Sequence, residues 1–227
     1  MARLPRLVVP NQLHHIIARG NNEQSVFIDA ADYQQFLQWL REAARQWRVA
    51  IHAYALLPNR VQLLATPSDA DGLGKMMQSV GRLYVPYFNA RHRRSGSLWE
   101  GRFRATVIDA EQYFLGCAHW LEYQPVQVGL TADMGGWPWS SHAHHLGQRR
   151  EPWLVDHPVY WKLGNTPFDR EIAYQQLCAA PPERKLSDAL SDATHKGWVL
   201  GSDAFRASLA RLTDRRLQPA RRGRPRK

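Results

Sequence analysis

The chain has 227 residues, 44% hydrophobic and 22% charged, which suits one good-sized globular domain with an appendage and excludes a disordered or fibrous chain. It has no uncharged apolar run of the ~18 residues a membrane-spanning helix needs, and residues 1–10 lack the apolar core of a secretory signal. Net charge is +10, and arginine supplies 25 of the 30 basic residues, a bias toward groups that grip phosphate oxygens in pairs.

Leu13–Arg19 reads as a short strand that turns at Gly20-Asn21-Asn22. Asp29 opens a helix whose apolar stripe runs through Tyr33, Phe36, Leu37, Leu40, Ala44 and Trp47. Val49–Leu57 reads as a strand, Pro58-Asn59 as a tight turn, and residues 60–66 as the antiparallel return. A second helix covers Gly72–Arg91, with Pro86 expected to kink or shorten it. A basic loop at residues 91–97 leads to a fourth strand at 103–108. Asp109 then caps a third helix, with Gln112 as its capping-box partner and Pro125 as its end.

Strand, helix, strand, strand, helix, strand, helix is the order of a ferredoxin-like α+β fold, expected here with helices on one face of the sheet. Residues 1–136 form this unit. Residues 137–214 read as a loop-rich extension with helical stretches near 169–180 and 202–213, and residues 215–227 as a disordered Arg-rich tail. Seven of those last thirteen residues are basic, so the chain before them carries only about +3. Arg221, Arg222, Arg224 and Arg226 make this tail an electrostatic arm for nucleic acid, and Gly223-Arg224-Pro225-Arg226 is similar to the core of an AT-hook. Cys117 and Cys178 alone make neither a disulfide framework nor a zinc site, and the chain reads as a soluble cytoplasmic protein.

Several stretches carry a resemblance when taken in order. They are Pro10-Asn11 with residues 14–20 (HHIIARG), Leu57-Pro58-Asn59, residues 96–103 (GSLWEGRF), residues 123–130 (YQPVQVGL), residues 137–141 (WPWSS) and the closing GRPRK. With them the chain resembles the REP-associated tyrosine transposases of bacteria, insertion-sequence-200-like members of the single-tyrosine HUH superfamily. The resemblance implies cleavage of single-stranded DNA beside a short hairpin, with a tyrosine hydroxyl attacking the phosphodiester. A divalent metal such as Mg²⁺ would be held by two histidines on the strand after the Pro-Asn turn. It also implies a homodimer.

This sequence departs from that pattern at each of those chemical positions. Arg60 and Gln62 stand where the two histidines would be; a guanidinium has no lone pair to give a metal, and one neutral amide is a weak ligand. Trp120 stands where the tyrosine would be, and indole has no hydroxyl. Gln124 keeps the polar position that follows. The expectation is therefore no cofactor, no metal and no catalysis, with Tyr113 and Tyr123 as the rescue candidates for an active enzyme. His142-Ala143-His144-His145 reads as a polar loop rather than a metal site, and His119 as a surface histidine.

DNA binding does not need the missing groups. Arg60 can take the metal's electrostatic place against a phosphate, and Trp120 can stack on a base or simply fill the core. Arg91, Arg93, Arg94, Arg102 and Arg104 crowd into fourteen residues as phosphate contacts, with Arg102 and Arg104 expected to project together from one strand face. Arg19 and Arg82 are weaker candidates. The reading is a DNA-binding protein for single-stranded or hairpin DNA, with no membrane and no small-molecule substrate. The alternatives are an active tyrosine transposase and an RNA-binding module.

Overall fold

The computed structural model describes residues 6–219. Four antiparallel strands, β1 (Leu13–Arg19), β2 (Val49–Leu57), β3 (Arg60–Pro67) and β4 (Arg104–Ile108), make one sheet in the order β2-β3-β1-β4. That is the α+β arrangement the element order implies. Helices α1 (Ala30–Gln46) and α2 (Gly72–Arg91) follow β1 and β3, and α3 (Ala110–Gln127) follows β4. Asp29 starts α1 by accepting hydrogen bonds from the backbone N–H groups of Ala31 and Asp32. Gly20, at the exit of β1, must be glycine because a Cβ there would collide with the backbone oxygen of Gln24.

Both faces of the sheet are covered, whereas one was expected. Ile16, Tyr54, Leu56, Val61 and Leu63 pack under α1 and α2, while Leu13, Ala53, Ala55, Leu57 and Leu64 pack against Phe114, Cys117, Trp120 and Leu121 of α3. Alternate residues of β2 therefore meet two different cores, which is why that strand is apolar nearly throughout instead of alternating. Each face makes its own demand for burial.

Neither proline ends its helix. α2 runs through Pro86 to Arg91, held by Tyr84 and Phe88, both fully buried against the α1 side of the core. α3 likewise continues through Pro125. It stops at Gly129, whose φ of 73° admits a left-handed turn, with Leu130 N–H reaching Pro125 O and Gly129 N–H reaching Val126 O. The expected capping box at α3 is missing because Asp109 is drawn elsewhere. Its backbone N–H donates to Leu200 O, and its carboxylate accepts from Ser202.

The extension wraps back over the sheet. It holds single-turn helices α4 (His142–His145) and α5 (Pro158–Trp161), then α6 (Pro167–Leu177), α7 (Arg184–Lys196) and α8 (Asp203–Leu209). α6 and α8 lie in the two expected stretches, and α7 falls between them unanticipated. Gly116 of α3 makes room for α7, since a Cβ there would strike Leu186.

The start of the basic tail is docked instead of loose. Arg215 donates to Gly197 O, Leu217 O accepts from Val199 N–H, and the Leu217 side chain is buried with Leu7, Val9 and Leu209. Arg221, Arg222, Arg224, Arg226 and the AT-hook-like tetrapeptide lie outside the described residues.

Candidate nucleic-acid interface

The residues singled out on β3 and α3 meet at one small cavity. Pro58-Asn59 reverses the chain so that Arg60 and Gln62, two apart on β3, face α3 together. Trp120 and Gln124, four apart on α3, present one side of that helix to them. Gln124 Oε1 accepts from Arg60 Nη2 at 3.1 Å and from Gln62 Nε2 at 3.4 Å, and Gln124 Nε2 donates to Gln127 Oε1 at 2.7 Å. Gln62 Oε1 accepts from His15 Nε2 at 3.1 Å, leaving His15 Nδ1 to face Thr194 Oγ1 at 2.7 Å. Burial holds the His15 pKa down to about 4, so the ring is neutral near pH 7.

This donor set does not fit a divalent metal. Both amide oxygens already accept hydrogen bonds and both His15 nitrogens are engaged. The charged group among them is a guanidinium, which repels a cation. Among the described residues, no group of three or more His, Cys, Asp or Glu is placed to hold a metal ion.

Trp120 is 8% exposed and meets His15 edge-on, with ring centroids 5.6 Å apart. It is packed with the α3 core and offers little face for a base. Neither Tyr113 nor Tyr123 lines the cavity. Tyr113 packs at the margin of the α3 core, and Tyr123 lies edge-on to His119.

Sequence reasoning missed the cavity's far wall. α7 supplies Ser191, Thr194 and His195 to it. His195 Nε2 accepts from Arg19 Nη2 at 2.9 Å, and its backbone oxygen accepts from Arg104 Nη1 at 3.0 Å. Burial and the two nearby guanidiniums lower the His195 pKa, which keeps the ring an acceptor. Leu186, Leu190 and Ala193 recur at helical spacing, and that periodicity was the readable signal for α7.

The five clustered arginines separate in space. Arg91 is tied to Asp29 at 2.5 Å and lies 3.4 Å from Asp32, and Arg94 donates to Gln24 Oε1 while sitting over the Phe88 ring. Arg93 and Arg82 are exposed. Arg102 and Arg104 do not project together, because β4 begins at Arg104 and Arg102 stands in the preceding loop. Arg102 instead borders a groove of about 610 Å³ beside α2, shared with Lys75 and Trp99, while Arg104 reaches α7.

The His-Ala-His-His stretch is a buried helical turn and not a polar loop. Glu122 of α3, fully buried, accepts from His145 Nδ1 at 2.7 Å, Ser141 Oγ at 2.5 Å, Tyr174 OH at 2.9 Å and His142 Nδ1 at 3.3 Å. Burial alone would raise the Glu122 pKa, but His145 and His142 reverse it and hold the carboxyl well below its usual range. His119 is buried beside this cluster instead of lying on the surface, with Nε2 making no hydrogen bond among the described residues. The α3 helix thus touches the cavity on one side and anchors the extension on the other.

No family model matches the chain, and no curated protein matches it. Among solved structures, it is similar to the REP-associated tyrosine transposase bound to a REP hairpin, at 16% identity and a TM-score of 0.55, covering 70% of this chain and 93% of that one. A proposed transposase from Deinococcus radiodurans R1 aligns at 21% identity with a TM-score of 0.37, over 50% of this chain and 92% of that one. No helix among the described residues is long and apolar enough to cross a membrane. Over most of its length, the chain has the fold of the REP-associated tyrosine transposase.

Proposed function

We propose that this chain is a transposase-fold protein that binds single-stranded or hairpin DNA in the cytoplasm and has lost strand cleavage. The observation that carries the reading is the Arg60–Gln124–Gln62–His15 hydrogen-bond chain, which fills the place of a metal site with a fixed cation and engaged amides. Trp120 supports it, since an indole on that helix face cannot form a phosphoester. The solved protein of the same fold holds a DNA hairpin, and the +10 charge of this chain suits the same class of partner. In this reading residues 1–136 carry the DNA-binding unit, residues 137–214 brace it, and the Arg-rich end adds non-specific attraction.

The test combines labelled DNA hairpins with the protein, with and without Mg²⁺ or Mn²⁺, on native and denaturing gels. The expected result is a retarded native band, intact DNA and no adduct that survives denaturation. A metal-dependent adduct would overturn the loss of cleavage and direct attention to Tyr113 and Tyr123. Stronger retention of an RNA hairpin of the same sequence would overturn DNA as the partner.

A further inference from the structure

We propose that Arg19, Arg60 and His195 line a pocket for one phosphate group of a nucleic-acid strand, at the place where a metal ion would otherwise sit. This deepens the DNA-binding reading and rests on it for the ligand's source, though the pocket can be tested separately.

Arg19 and Arg60 are direct cross-strand partners in the β1–β3 register, so two permanent cations stand opposite each other. Like charges so placed destabilise a sheet. No carboxylate lines the cavity they share among the described residues. The exposed Glu23 acts on Arg60 only through space; burial, and then the charge of Arg19, lower the Arg60 pKa. Arg19 Nε is buried and makes no hydrogen bond among the described residues, although Arg19 Nη2 is held by His195. Such a donor is costly to bury without an acceptor. An oxyanion between the two guanidiniums satisfies the donor and removes the repulsion together.

The cavity's size fixes what enters. It measures about 100 Å³, room for roughly three waters or one tetrahedral oxyanion. A nucleobase with its sugar stays outside. The pocket therefore holds backbone and reads no sequence. The Ser191 hydroxyl on α7 adds a neutral donor at the wall. α7 is thus part of the binding site and not merely a brace, and Arg60 completes a cation pair with Arg19 where the resemblance implies a metal.

The phosphate can be a terminal phosphomonoester or an internal phosphodiester. Calorimetric titration of the whole protein with 5′-phosphorylated and 5′-hydroxyl trithymidylate, at fixed ionic strength with EDTA, separates them. Preference for the phosphorylated form assigns the pocket to a strand end, and equal binding assigns it to the internal backbone. In either case Arg60→Gln, and Arg19→Gln with it, should weaken binding by about tenfold to a hundredfold. Arg45→Gln, which removes one exposed charge on α1 away from every candidate contact, should change affinity less than about twofold, well below the loss of a charge-assisted bond. Melting temperatures of the Arg60 and Arg19 variants should hold or rise in phosphate-free buffer, because the repulsion is relieved.

Unchanged affinity in those variants, or an equal loss in Arg45→Gln, would overturn the pocket. Hairpin gel shifts on the same proteins keep the two claims apart. A hairpin bound equally by all variants leaves the DNA-binding reading standing without the pocket. A trinucleotide held through Arg19 and Arg60 by a protein that ignores hairpins leaves the pocket standing without that reading.

Discussion

Replacing Glu122 with alanine should cost about 3–5 kcal/mol of folding free energy, the usual penalty for breaking a buried ion pair from one side. The carboxylate is fully buried and gathers donors from four residues of the extension: Ser141, His142, His145 and Tyr174. Burial lowers the His145 pKa, but Glu122 reverses this and raises it overall, so the substitution leaves a buried imidazolium without its counter-charge. The remaining donors would then be left buried without their acceptor. Glu122→Gln keeps the volume but offers one acceptor oxygen in place of two, so its loss should be smaller, nearer 2 kcal/mol. Urea unfolding followed by tryptophan fluorescence measures both. A loss below about 1 kcal/mol for Glu122→Ala would mean the cluster relaxes without its centre. Glu122 lies on α3 between Trp120 and Gln124, so local loosening there should also weaken hairpin binding.

The parts of the fold that were legible are those where periodicity is set by a single packing surface. α1 shows its stripe because one side meets the core and the other meets water, and Asp29 marks its start. The Pro58-Asn59 turn was legible from its own residues, whereas the meeting of Arg60 and Gln62 with α3 followed only from what the resemblance implies. β2 hid the second helical layer, because a strand buried on both faces reads as merely apolar. Pro86 and Pro125 misled for a related reason. Tertiary packing of Tyr84 and Phe88 in one helix, and of Leu121 and Gln124 in the other, outweighs a missing backbone donor. In the site, Gln124 was visible only through the resemblance, as the polar residue that follows the position of Trp120. His195 and Thr194 were not, since they sit over a hundred residues away on a polar helix. The arginine cluster shows the limit of counting charges. Arg91 and Arg94 are bound to acceptors of their own, so adjacency in sequence did not make a common surface.

Acid should unfold this protein well before its carboxylates are exhausted. His14, His15 and His52 are buried, and desolvation holds each pKa down to about 4 from the usual 6.5. Their hydrogen bonds explain the resistance to a proton. His14 Nδ1 donates to Gln12 O while its Nε2 accepts from Val9 N–H, and His52 Nδ1 donates to Val155 O while its Nε2 accepts from the Thr66 hydroxyl. Those two rings each need one bare nitrogen, and protonation would set donor against donor, whereas His15 is held neutral by its burial. The unfolded chain takes up these protons near pH 6.5 and the native chain does not. Their contribution is complete above that value and is lost as pH falls toward 4. A shift of this size corresponds to roughly 3 kcal/mol per ring, so three together approach the whole stability of a typical domain, about 5–15 kcal/mol. His145 opposes them, since its raised pKa gives a contribution complete below 6.5 and lost as pH rises through the raised value. Glu122, with its depressed pKa, contributes above the ordinary carboxylate value and is lost only as pH falls through the depressed one. His119, His157 and His195, lowered first by burial, add to the losses, and the single gain leaves the acid limb steep. Stability should be high at pH 7 to 8, and the acid midpoint should fall between about pH 4 and 5.5, with at least about three protons taken up on unfolding. Far-ultraviolet circular dichroism against pH gives the midpoint, and unfolding free energies across the same range give the proton count. A transition that waits until below about pH 3, where carboxylates alone titrate, would show that these rings accept protons without leaving the fold.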